Sequence, residues 1–267
     1  MSEAATKAPP KAAAGAARKV LVDLAGRGRT GKSAVGDVLV RLAEDAGRGP
    51  VPVADANENA TLARLYPGQA SRPASDDVGD LKAWLSDRLG AMMASGGPLV
   101  LDLGPAAEVV RREHALEFDL ARSCERRGWT LLTVFTAGPT REDLDYVLGL
   151  VRSGIHLSRP SVLLFNEALT PAKRNIADAF APVLDAPELA PGGELEKAGV
   201  RPMLLPNLPF LDLLRGKGFR GFRAAMEGGP GPADGKALDP MRQDQVRFDV
   251  EDLLARFGAL GVADRLP

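Results

Sequence analysis

Short apolar runs and longer stretches of helical period alternate along most of this chain. The runs at 20–25, 51–54, 99–103, 130–135, 161–165 and 201–205 are brief and mostly aliphatic. Such runs mark strands buried on both faces. Between and after them, apolar residues recur three or four positions apart, which predicts helices over 32–46, 76–94, 108–127, 140–152, 171–184, 194–199 and 208–226. Val35, Leu39, Leu42 and Ala43 share one face of the first; Val78, Leu81, Leu85, Leu89 and Met92 share one face of the second. Gly47 and Gly49-Pro50 stop the first helix, and Asp76 or Asp77 caps the second. Thr140 caps the fourth, with Asp143 in its first turn. Strands alternating with helices imply an α/β fold, a mostly parallel sheet flanked by helices in three layers.

The pattern fades at both ends. Residues 1–18 lack the large apolar side chains that would offset the entropy of ordering, and read as a disordered tail. The Gly- and Pro-rich stretch after 228 reads as a flexible linker over 228–245. A last amphipathic helix with Phe248, Leu253, Leu254 and Phe257 follows, in a C-terminal segment of 246–267. Residues 19–227 then form the main domain.

Composition narrows the function classes. With 45% apolar and 26% charged residues among 267, the chain can bury a core; it is no collagen or coiled-coil rod. A net charge of −1 argues against a polycation built for nucleic acid, and 5% aromatics argue against a base-stacking surface. Cys124 is the single cysteine and His114 and His156 the two histidines, so a cysteine/histidine zinc cage is excluded. These three read as structural, as does Asp23 inside the first strand. No apolar run is long enough to span a bilayer and the N-terminal alanines are broken by Lys and Pro, so a cytoplasmic protein is expected.

The chemistry lies in Gly26-Arg27-Gly28-Arg29-Thr30-Gly31-Lys32-Ser33, an ungapped G-x-x-x-x-G-K-[ST] between the first strand and its helix. Glycines let backbone N–H groups surround a polyanion, and the helix N-terminus adds a favourable dipole. Lys32 is placed to reach β- and γ-phosphates and Ser33 to bind Mg²⁺. A Gly-rich βα turn that binds nothing would need neither.

This loop resembles the deviant Walker A motif of the ParA/MinD ATPases, in which a lysine follows the first glycine; Arg27 stands there. Ala54-Asp55-Ala56-Asn57-Glu58-Asn59-Ala60-Thr61 looks like that family's Asp-Pro-Gln-Gly-Asn-Ala-Thr segment, with Ala56 and Asn57 departing from it. Leu99-Val100-Leu101-Asp102-Leu103-Gly104-Pro105 resembles its Walker B strand. Asn166, and Pro206 with Asn207, resemble its base-side loops, and 133–152 with Phe165-Asn166-Glu167 looks like the TraL/MobD-like conjugal-transfer branch. The resemblance covers about 18–226. It implies a P-loop fold with the two Walker strands adjacent and a slow, Mg²⁺-dependent ATPase that dimerises on ATP. A protein partner stimulating hydrolysis, and a role in plasmid transfer or partition, would accompany it. Lys32, Asp55 and Arg27 would be catalytic. Asp55 would orient water and Arg27 would act across the dimer. Gly26, Gly28, Arg29, Thr30, Gly31, Lys32, Ser33, Asn166 and Pro206 would bind nucleotide, and Ser33 and Asp102 would hold Mg²⁺.

Apart from the resemblance, Asp102 among Val100, Leu101 and Leu103 is a carboxylate that needs a partner. Asn166 suits adenine's edge, and Asn166-Glu167-Ala168-Leu169 lacks the carboxylate of a guanine-reading Asn-Lys-x-Asp, which favours ATP. Arg215, Lys217, Arg220 and Arg223 read as a solvated helix edge, or else as a contact to DNA or an acidic partner. Two rival functions share the scaffold: an ATP-dependent small-molecule kinase or ligase, and an adaptor that does not use hydrolysis.

Overall fold

The computed structural model describes residues 18–104 and 107–267. All of the N-terminal tail except Arg18 lies outside them. Seven strands form one sheet: β1 Val20–Ala25, β2 Val53–Asp55, β3 Ala70–Ser71, β4 Leu99–Asp102, β5 Thr130–Ala137, β6 Ser161–Asn166 and β7 Val200–Leu205. Their order is β3-β2-β4-β1-β5-β6-β7 and every pairing is parallel. Among the described residues the α-helices are α1 Lys32–Asp45, α2 Thr61–Leu65, α3 Val78–Ser95, α4 Glu108–Glu117, α5 Leu120–Arg126, α6 Arg141–Ser153, α7 Ile176–Leu184, α8 Glu194–Ala198, α9 Phe210–Gly216, α10 Arg223–Met226 and α11 Pro240–Ala259.

Strand residues alternate between the two faces, as the pleat requires. Val20, Val22, Leu24, Leu132 and Val134 face a core closed by α1, α9, α10 and α11. Leu21, Leu101 and Leu131 face α3–α5, and Phe135, Leu163 and Phe165 face α6–α8. The expected three-layer α/β architecture is therefore the observed one. β1 pairs with β4, Leu24 opposite Asp102, so the loop strand and the Asp102 strand are adjacent as expected.

Several elements differ from the sequence reading. The helix expected over 108–127 breaks at Phe118, and Asp119 caps α5 with its side chain. The helix expected over 208–226 is interrupted between α9 and α10, where Gly218 has a φ of 76°. The linker expected over 228–245 ends early. Asp239 caps α11 and Pro240 occupies its first turn, where a missing N–H costs nothing. Leu238, Val246, Val250, Leu253 and Phe257 are buried in the same core as β1. The C-terminal helix is thus part of the main body. Among the described residues no helix is long and apolar enough to cross a membrane.

Candidate nucleotide site

Parallel strands deliver their C-terminal ends to one edge of the sheet, where a ligand site opens at the point of strand-order reversal. Here that edge carries the loop after β1, Asp55 at the end of β2, Asp102 at the end of β4, Thr136 in β5 and Asn166 at the end of β6.

Residues 26–33 adopt a conformation that only their glycines permit at two points. Gly26 has a φ of 146°, and a Cβ there would strike Thr136 and Thr30; Gly31 has a φ of 101°, and a Cβ would strike the Asn166 amide. Arg29 has a φ of 68° without being glycine. Such left-handed turns point successive N–H groups into one concavity, an anion nest. Thr30 holds the loop closed: its hydroxyl donates to Arg27 O at 2.9 Å and shares a 2.7 Å hydrogen bond with Thr136. Arg27, Gly28 and Arg29 are exposed at the crest.

Lys32 is 3% exposed, and its Nζ donates to Gly26 O and Arg27 O at 2.8 Å each. Burial holds its pKa below the ordinary lysine value, against the attraction of Asp102. Ser33 donates to Asp102 Oδ2 at 2.7 Å, while Asp102 Oδ1 is buried with no hydrogen-bond partner among the described residues. Burial raises the Asp102 pKa above the usual carboxylate value; Ser33 and Lys32 lower it and Asp55 raises it further. An orphaned carboxylate oxygen beside a hydroxyl is a donor pair suited to a hard cation. Among the described residues no three acidic, imidazole or thiol groups converge, so phosphate oxygens and water would have to complete the shell. The residues fit Mg²⁺ in that role.

Three of the expected residues make contacts within the fold. Asp55 is fully buried, with Oδ1 accepting from Asn57 N at 2.9 Å and Oδ2 from Ala63 N at 2.8 Å. It anchors the loop after β2 and the first turn of α2, a task the sequence did not disclose. Arg27, expected to be catalytic across a dimer, turns its guanidinium onto the start of α6: Asp143 is 3.2 Å away and Glu142 3.6 Å. Asn166, expected to read adenine, braces the loop. Its Nδ2 donates to Thr30 O at 3.2 Å and its Oδ1 accepts from Ala168 N at 3.1 Å. Pro206 follows Leu205, the register partner of Asn166, one strand further from the loop.

Sequence reasoning missed Thr136, whose signal was a threonine just past the expected end of its strand. It also missed Arg111 in α4. That guanidinium donates to Asp23 Oδ1 at 2.6 Å and to Leu24 O at 3.1 Å, and His156 Nδ1 lies 3.0 Å from Asp23 Oδ2. Burial alone would raise the Asp23 pKa, yet Arg111 and His156 hold it below the ordinary value. Cys124 is buried, its pKa pushed up to about 11. Half of the basic cluster is neutralised: Arg215 pairs with Asp37 and Asp212, and Lys217 with Asp234. Phe219 and Phe222 are buried in the core, so they line no open basic surface.

No protein-family model and no curated relative matches the chain. Among solved structures, the signal recognition particle receptor FtsY of Elizabethkingia anophelis aligns with a TM-score of 0.46 and 9% identity, over 74% of this chain and 62% of that one. Chloroplast FtsY of Physcomitrella patens aligns with a TM-score of 0.39 and 13% identity, over 66% and 59%. The Elizabethkingia FtsY in complex with GDP gives 0.39 and 10%, over 62% and 54%. The chain thus spans less than two thirds of the length of each of these structures.

Proposed function

We propose that this chain binds a nucleoside triphosphate with Mg²⁺ in the 26–33 loop and works as a slowly hydrolysing, nucleotide-dependent switch. The observation that carries the reading is the Ser33–Asp102 pair, one carboxylate oxygen unpartnered, at the foot of a left-handed loop closed over Lys32. In this reading Lys32 exchanges two carbonyl partners for phosphate oxygens. The loop N–H groups bind the phosphate chain, and Ser33 with Asp102 holds the cation. Bound there, Mg²⁺ supplies positive charge against the phosphates. Catalysis of this kind is positional and electrostatic. Asp55, through the loop it anchors, sets the shape of the side where water would enter.

ATP is the proposed nucleotide, because Leu169 stands where a guanine reader would carry a carboxylate. ATP-dependent association of two copies, and a protein partner that stimulates hydrolysis, belong to the same proposal, as does a place in plasmid transfer or partition. Calorimetric titration tests it. Mg-ATP is expected to bind better than Mg-GTP, and Lys32→Ala to weaken binding severely. Equal affinities for the wild type and Lys32→Ala would remove the loop from the site, and a preference for GTP would remove ATP.

A further inference from the structure

We infer that Arg29 is a phosphate-binding residue: its guanidinium, rather than that of Arg27, meets the charge of a nucleotide's phosphate chain from the outer rim of the loop. The inference rests on the nucleotide reading above and adds a named contact to it.

The 26–33 loop holds three cationic side chains, and the fold gives each a different position. Lys32 is inside, hydrogen-bonded to Gly26 O and Arg27 O. Arg27 is drawn onto Asp143 and Glu142 of α6. Arg29 is exposed, and among the described residues it makes no ion pair and no side-chain hydrogen bond. It is therefore the loop cation left available to an external anion.

The backbone adds an independent observation. Arg29 sits at a φ of 68°, a region glycine enters without steric cost and arginine does not. Neighbouring Gly28 and Gly31 show that small residues are accommodated in this loop. A long side chain in a strained position of a binding loop points to a task for that side chain. A guanidinium suits this one. It stays charged at any working pH, and its planar fork matches two phosphate oxygens at once. With Lys32 and one divalent cation already on the inner side, the outer oxygens of a triphosphate are what Arg29 would meet. Those oxygens could belong to a nucleotide in its own loop or in the loop of a second copy. The chemistry is the same in both cases.

The test uses Arg29→Gly, which removes the guanidinium and relieves the backbone, so the variant should melt at or above the wild-type temperature. Its affinity for Mg-ATP, measured calorimetrically, is expected to fall at least fivefold. Arg29→Lys, which keeps a charge without the fork, should lie between, and Arg27→Gln should lose less than Arg29→Gly. Titration of Arg29→Gly in the presence of Lys32→Ala chains separates the two sources. Unchanged weak binding places the phosphates in Arg29's own loop, whereas recovery places them in a second copy. Wild-type affinity for Arg29→Gly, alone and mixed, overturns the inference while leaving the nucleotide site intact, and so does a larger loss in Arg27→Gln. A wild-type chain that binds no nucleotide overturns both together.

Discussion

At the scale of single residues, Asp102 is a buried carboxylate whose contribution to stability depends on pH. Its folded pKa is raised by burial. The fold is therefore most stable with this carboxyl neutral. That contribution is complete below the ordinary value of 3.8 and is lost as pH rises through the raised value. Asp102→Asn should accordingly stabilise the ligand-free protein at neutral pH by about 1–2 kcal/mol, since it removes a buried charge whose desolvation Ser33 and Lys32 only partly offset. The same variant should lose the stabilisation that saturating Mg-ATP gives the wild type, about 2.7 kcal/mol at a hundredfold excess over Kd. Thermal melts with and without Mg-ATP measure both, and a lower melting temperature for ligand-free Asp102→Asn would contradict the assignment. Asp23 has the opposite sign. Its pKa is held down by Arg111 and His156, so its contribution is present above 3.8 and lost as pH falls through the lowered value. Arg111→Met leaves that carboxylate buried with His156 alone. A loss of about 3–5 kcal/mol in denaturant titration is expected, and less at acid pH, where Asp23 is protonated in both states.

At the scale of elements, the legible parts were those whose local pattern and final environment agree. β1, α1, α6 and β6 were read almost to the residue, since each is a strong apolar run or a capped amphipathic helix. The position of the 26–33 loop between β1 and α1 was equally legible, because its glycines lie at the motif's fixed spacing. What escaped was decided by tertiary contact. β3 has two residues and exists only through its pairing with β2. The roles of Asp55, Arg27 and Asn166 depend on which amide or charge the fold brings to them, and spacing along the chain holds no record of that. α11 was half visible: Pro240 and the residues after it carry few apolar positions, while Val246, Val250, Leu253 and Phe257 mark the buried stripe. Because that stripe closes the same core as β1, Leu253→Ala should cost about 2–5 kcal/mol, read as a lower denaturation midpoint. A detachable helix beyond a linker would show almost no change.

At the scale of the whole molecule, the proposed switch predicts a change in mass. Light scattering of the wild type should show a single-copy mass without nucleotide and an approach to twice that mass with saturating Mg-ATP. A mass that never changes would leave the monomeric kinase or ligase, or the adaptor, as the better account of the same loop. The position of β1 has a further consequence, for how the chain is made. β1 leaves the ribosome first among the strands, yet both its neighbours come much later: Leu21 pairs with Leu99 on one side and with Leu131 on the other. Until then a strand that is apolar except for Asp23 has two open edges and nothing to lie against, the condition in which nascent chains aggregate. The 26–33 loop at its end lacks its braces until Thr136 and Asn166 arrive. A ribosome-bound chain halted before residue 130 is thus expected to be protease-sensitive and blind to nucleotide, although the whole 26–33 motif has already emerged.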